Sequence, residues 1–392
     1  MKRQPIAQTS VEPWSAMPEV AAEISEAPVA DGSAANRRSV RLVPLLERRQ
    51  KVADWERISV YLGSLLVAAL LSVLIVAAMG VAPADLGREI ASVLFASPRT
   101  FGSVLAQTAP FAIAGLATAI AFRARFWNIG LEGQMIFGAI CASIIAIYDL
   151  GPEALRLPLM ALAAAVGGML WIAGPGALKL KLGVNEVVTT LLLNYLAFNF
   201  LLHLLYGTWQ DPVSRFPHTE LYDEAEKLPA LGWQNLTWAL PIAGVLTLVL
   251  WWLFSISRVG YLIDVLRSNP HMAFAMGVPV AALSIGAILA SGAVGGLTGF
   301  VISAGIEGRM TQDFFTGYLF SGILIAFLGR NHPLGVAFFA FFMAVLVLVG
   351  QSLQIFFQIP FALTQLIQAL FIICVAASEF FLTYRMHWRG AA

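Results

Sequence analysis

A carboxylate and two carboxamides interrupt an apolar stretch at Phe126-Trp127-Asn128-Ile129-Gly130-Leu131-Glu132-Gly133-Gln134-Met135. A carboxylate in an apolar span costs roughly 2.5–3.5 kcal/mol at the bilayer centre, so Glu132 needs a partner or a watery path. On a helix Asn128 and Glu132, four residues apart, share one face. A second polar concentration opens at Asn185-Glu186-Val187-Val188-Thr189-Thr190 and continues through Asn194, Tyr195, Asn199 and His203. Glu186, Thr190 and Asn194 are successive i, i+4 neighbours, as are Tyr195, Asn199 and His203. Such a stripe is either interhelical glue, at about 0.6 kcal/mol per contact, or the wall of a polar path. Eight polar side chains within nineteen residues favour the path, because lipid satisfies none of them.

These residues do not compose an enzyme. The five histidines (His203, His218, His271, His332, His387) are scattered and form no HExxH pair, and no Gly-rich loop ends in Gly-Lys-Ser or Gly-Lys-Thr. A catalytic triad, a metal site and a phosphate-cradling P-loop are therefore not expected. Cys141 and Cys374 lie in separate apolar segments without metal-like spacing and read as small buried hydrophobes.

The elements that must hold the polar residues are membrane helices. The chain has 59% hydrophobic and only 12% charged residues and a mean hydropathy of +0.78, the composition of an integral membrane protein. Its net charge of +1 gives no reason to expect a nucleic-acid partner. Ten apolar segments follow one another at about 58–80, 103–122, 126–148, 155–174, 186–206, 236–256, 282–304, 318–330, 334–350 and 360–383. The expected fold is an all-α polytopic bundle of about ten transmembrane helices. The eighth segment is short, bounded by Gly317 and by Gly329-Arg330, and reads as a broken or non-spanning helix packed within protein. In the seventh, Ser291, Gly292, Gly295, Gly296, Gly299 and Ser303 make overlapping rows of small residues that let backbones approach, chiefly for packing within the chain. Residues 1–57 are polar: 1–36 are expected to be disordered, and 37–57 to lie as a basic segment along the cytoplasmic membrane surface. A cleaved signal peptide is not expected, because no short apolar stretch with a cleavage site precedes the first span.

Basic residues set the orientation. With both termini inside, 18 of the 24 Lys and Arg fall on the cytoplasmic side and 6 outside. Residues 207–235 then face outward and 257–281 face the cytoplasm. Glu132 and Glu186 come to the cytoplasmic ends of their spans, level with Arg123, Arg125 and Arg330 as possible partners. A structural ion-pair network and a cytoplasmic gate both fit that arrangement.

Four blocks together resemble the permease subunits of ATP-binding-cassette importers in the simple-sugar and branched-chain amino-acid superfamily, nucleoside-type branch. They are Asn128–Met135; Val184–Thr190 with Leu193-Asn194-Tyr195; Asn269-Pro270 with Ala273 and Gly277; and Leu328-Gly329-Arg330-Asn331-His332-Pro333-Leu334-Gly335. The match covers about 58–385, and the second block resembles the nucleoside branch most. The resemblance implies a multi-pass permease in the bacterial inner membrane that binds no cofactor itself. ATP and magnesium would sit on cytoplasmic ATPase partners, beside a second, paralogous permease and an extracytoplasmic solute-binding protein or lipoprotein, with lipid around the bundle. Residues 257–281 look like the segment that couples to the ATPase, through Arg267, Asn269, Pro270, Ala273 and Gly277. The family usually has Gly where this chain has Arg267, and two adjacent alanines where it has Met272-Ala273.

On that resemblance the second, third and fifth spans line a translocation path. Gln107 and Thr108 stand on its outer side, Thr189, Thr190 and Asn194 midway, and Asn128, Glu132, Asn185 and Glu186 near the inner gate. A sugar or branched-chain amino-acid cargo is the alternative within the class. A secondary transporter or channel would need ionisable residues near mid-span, whereas the carboxylates here gather at cytoplasmic ends.

Overall fold

The computed structural model describes residues 41–48 and 53–391. The chain divides into two units. The smaller joins the termini: strand β1 (Arg41–Arg48) pairs with β2 (Tyr384–Ala391) in a two-stranded sheet. The expected disorder of 1–36 lies outside the described residues. Within the basic segment, β1 is a strand and α1 already begins at Asp54.

The larger unit is helical: α1 (Asp54–Ala78), α2 (Pro83–Phe95), α3 (Pro98–Arg123), α4 (Leu131–Ile147), α5 (Arg156–Leu182), α6 (Glu186–Leu205), α7 (Ala239–Ser255), α8 (Arg258–Ser268), α9 (Pro270–Ala275), α10 (Val280–Ile302), α11 (Tyr318–Leu328), α12 (Pro333–Phe357) and α13 (Phe361–Thr383). A helix covers each of the ten apolar segments, but not every one has the length of a full crossing. Among the described residues seven helices are long and apolar enough to cross a membrane, and α7 with α8 adds an eighth only as a pair bent by 68°. The shortfall has local causes. The expected third span loses its first residues to a non-helical connector, leaving α4 with 17 residues. The 11 residues of α11 extend about 16 Å, against roughly 30 Å of hydrocarbon. Left-handed backbone at Gly317 (φ 87°) and at Arg330 and Asn331 (φ 53° and 56°) stops it at both ends.

The core sits around α3, whose apolar window is 83% buried against 17% for α1. Ser97 starts α3 with a capping box: its Oγ accepts from Thr100 N at 3.1 Å while its own N–H donates to Thr100 Oγ1. The small-residue rows of α10 do pack within the chain. A Cβ on Gly296 would strike the Ala164 carbonyl of α5, and one on Gly299 the Met135 carbonyl of α4, so these backbones lie in direct contact. The amphipathic α2, which carries Asp85, Arg88 and Glu89, was not foreseen among the apolar segments; it is tied to α12 where Ser352 Oγ donates to Glu89 Oε2 at 2.6 Å.

Candidate translocation path

The first polar block folds as a connector. Residues 126–130 between α3 and α4 are not helical, so Asn128 and Glu132 do not share a helix face as expected. Asn128 is 1% exposed. Its Nδ2 donates to Ser291 Oγ at 3.0 Å and Gln134 Oε1 at 3.2 Å; its Oδ1 accepts from Gln134 Nε2 at 2.8 Å and Gly130 N at 3.0 Å. Ser291 Oγ in turn donates to the Ala117 carbonyl at 2.7 Å. From α6, Asn194 donates to the Ile129 carbonyl at 2.8 Å and accepts from Gly133 N at 2.9 Å, while Thr190 Oγ1 accepts from Ile129 N at 3.3 Å. Gly133 leaves room for this contact, since a Cβ would come within 2.5 Å of Trp171 Nε1 and 3.0 Å of Asn194 Oδ1 and would force those side chains to shift. Asn128, Gln134, Thr190, Asn194 and Ser291 therefore form a closed knot that satisfies buried backbone.

The inner-end charges pair differently from expectation. Glu186 Oε2 accepts from Lys179 at 2.6 Å, whereas Arg123 pairs with Asp264 at 3.5 Å. Neither Arg125 nor Arg330 reaches a carboxylate among the described residues. Lys179 ends α5 one turn from where α6 begins, so proximity in sequence decides the pairing. Glu132 is half-buried in the first turn of α4, without an ion pair among the described residues. Asn185 caps α6 by accepting from Val187 N at 2.9 Å. Thr189 back-bonds to the Asn185 and Glu186 carbonyls.

An open polar site lies toward the other end of the helices. A cavity of about 250 Å³ is walled by α3, α11, α12, α13 and the segment 302–317. Carboxamides enter from three helices: Gln107, Gln351, and the pair Gln365 and Gln368. Phe111 and Tyr318 supply a tilted ring pair with centroids 4.8 Å apart, and Glu307 and Asp313 supply carboxylates at the rim. Gln107 Nε2 donates to the Tyr318 hydroxyl at 2.8 Å. Thr108 is absent from the wall: it is buried, its hydroxyl turned back to the Val104 carbonyl at 2.7 Å. Gln351, Gln365 and Gln368 were overlooked in the sequence, although each is a carboxamide inside an otherwise apolar segment, the same signal that marked Asn128.

The α6 stripe splits in two. Glu186, Thr190 and Asn194 are buried against the bundle, while Tyr195, Asn199 and His203 form an exposed edge. Among the described residues nothing covers that edge, although Asn199 Nδ2 returns to the Tyr195 carbonyl at 2.7 Å. Phe198 of α6 touches Phe315 edge-on (5.6 Å), next to the cavity residues Phe314 and Thr316.

The stretch expected to couple to an ATPase is a helical pair, α8 and α9. Asn269 caps α9, accepting from His271 N and Met272 N at 3.1 Å each, with Pro270 at the first helical position. Gly277 ends it with φ 78°, a conformation glycine adopts freely. Ala273 is fully buried, Arg267 is exposed, and Tyr261, Met272, Phe274 and Met276 present an uncovered apolar face. At the opposite end, 207–235 folds down on the segment after α10: Thr219 N donates to the Met310 carbonyl at 3.0 Å and Tyr222 N to Gly308 at 2.8 Å. Arg156 bridges Asp149 at 2.7 Å and Glu226 at 2.9 Å. Burial raises Glu226 above the usual carboxylate range and pushes Tyr222 up to about 12.

The model of the branched-chain amino acid transport system / permease component family matches residues 100–376, and the chain belongs to this family. It is 32% identical over 356 residues to the glucose ABC transporter permease of Haloferax volcanii, covering 87% of this chain and 93% of that protein. It is 29% identical over 281 residues to the guanosine ABC transporter permease of Bacillus subtilis, covering 71% and 81%. The nucleoside ABC transporter permease of Lactococcus lactis is 26% identical over 264 residues, covering 64% and 72%. This chain is a transport component and a multi-pass membrane protein.

Proposed function

We propose that this chain is the membrane-spanning subunit of an ATP-driven importer that moves nucleosides across the inner membrane. The observation that carries the path is the uncovered α6 edge of Tyr195, Asn199 and His203. Lipid gives these groups no hydrogen bonds, so a second permease subunit must face them across a polar channel. The relatives named for guanosine and nucleosides, together with the Asn185–Tyr195 block, support the cargo. The carboxamides and rings around Gln107 suit a neutral heterocycle, and the rim carboxylates suit sugar hydroxyls. Glucose is the second reading, favoured by the 32% identical relative.

The apolar face of α8 and α9 is where a cytoplasmic ATPase docks, so nucleotide and magnesium bind on that partner. An extracytoplasmic binding protein delivers solute to the outer face. Asn128, Thr190 and Asn194 hold the path's inner wall in place, and Gln107 contacts solute. The test is Asn199→Leu combined with His203→Leu. Normal assembly with uptake reduced roughly tenfold or more supports the α6 path; unchanged uptake removes it.

A further inference from the structure

Arg123 sits where three elements meet at the cytoplasmic end. It ends α3, and its side chain is 9% exposed. Its Nε donates to the Asn331 carbonyl at 3.0 Å, in the turn between α11 and α12. Its guanidinium lies 4.5 Å over the Phe254 ring, in the last turn of α7. Its NH1 faces Asp264 of α8 at 3.5 Å, and that carboxylate is 50% exposed. The NH1–Asp264 contact is an ion pair without a hydrogen bond, and among the described residues Asp264 is the one carboxylate that meets this guanidinium.

The Asn331 end of this contact is stiff. Arg330 and Asn331 both adopt left-handed backbone, and Arg330, Asn331 and His332 return their N–H groups to Phe327, Ala326 and Gly329 at 2.8–2.9 Å. From that turn α11 runs back to Tyr318 in the cavity wall, and α3 runs from Arg123 back to Gln107. The two helices press together between these ends. A Cβ on Gly115 would come within 2.6 Å of Ile325 Cγ2, and one on Gly322 within 3.2 Å of the Ala114 carbonyl. Gln107–Tyr318 thus closes the outer end of the pair and Arg123–Asn331 the inner end.

We propose that Arg123 is a positioning residue that carries displacement of α8 and α9 into the α3–α11 pair, and so into the cavity around Gln107. Asp264 is the handle and Asn331 the anchor. The inference rests on the reading of α8 and α9 as the ATPase-docking segment. A close-packed helix pair moves as a body, so a shift applied at Arg123 reappears at Tyr318.

The test uses the complete transporter in proteoliposomes and reads solute moved per ATP hydrolysed. Asp264→Asn removes the charge at a half-exposed position while keeping the side chain's size and one carbonyl oxygen, and thermal melting of the variant complex separates a loss of coupling from a loss of fold. The substitution is expected to lower that ratio roughly five- to tenfold, the lower part of the usual range for coupling between sites, while ATP hydrolysis continues. A second readout is the rate at which a thiol reagent reaches a Gln365→Cys variant with Cys141 and Cys374 replaced by alanine. Its dependence on ATP should vanish when Asp264→Asn is added. Arg123→Lys, which keeps the charge but loses the planar fork, should fall between. An unchanged ratio and an unchanged ATP response in Asp264→Asn overturn the relay. Gly277→Val separates this failure from that of the docking reading: if it uncouples while Asp264→Asn does not, only the relay is lost, and if neither uncouples, the docking segment is misassigned.

Discussion

Gln107 and Tyr318, 211 positions apart in sequence, are joined by a 2.8 Å hydrogen bond across the wall of the polar cavity. Tyr318→Phe deletes the hydroxyl and keeps the ring against Phe111. The loss of about 1 kcal/mol is expected to change the initial uptake rate roughly fivefold while the complex assembles normally. Initial rates at saturating and sub-saturating solute separate an effect on binding from one on movement.

Asn194 and Asn199 are one helical turn and a residue apart on α6, yet they should fail in different ways. Asn194→Ala strips partners from the Ile129 carbonyl and Gly133 N–H, both held in the connector. It is expected to cost roughly 2–4 kcal/mol, visible as a lower melting temperature in detergent. Asn199→Leu, on the uncovered edge, should melt like the unmodified protein and lose uptake.

Gly296→Ala drives a methyl into the Ala164 carbonyl at the α5–α10 contact. Overpacking of this kind costs about 1–3 kcal/mol. Thermal melting should register it without any change in which solutes compete for transport.

His332 stands at the start of α12, and burial, then the positive charge of Arg123, lowers its pKa below the ordinary 6.5. A depressed histidine is neutral in the fold, so the unfolded chain binds more protons in the window between the folded value and 6.5. The stability it contributes is full above 6.5 and is lost as pH falls through the folded value. Melting at pH 8 and at pH 5 should show this loss, and His332→Gln should diminish it.

The spanning helices were legible because each is a long apolar run, and α11 was legible as a short one because Gly317 and Gly329-Arg330 bracket it, whereas the amphipathic α2 carries no such run. The crossing number was not, since the non-helical connector at 126–130 is apolar or small except for Asn128, and a lone carboxamide does not by itself mark a break in a span. Composition does not reveal that Asn128 turns a chain where Asn199 faces outward; only the bundle decides which side of α6 is covered. The glutamines of α12 and α13 matter because they converge with Gln107 in space, which their separate positions in sequence do not disclose. The Lys179–Glu186 pair won over Arg123 because α5 ends beside the start of α6, while Arg123 is drawn to Asp264.

The central claim is nucleoside import through this subunit, and the most direct measurement is ATP-dependent uptake of labelled guanosine by the complete complex in sealed vesicles. The account predicts uptake that requires ATP, is suppressed by unlabelled nucleosides and is indifferent to excess glucose. Uptake of glucose that nucleosides do not suppress, with no guanosine accumulated, would contradict it.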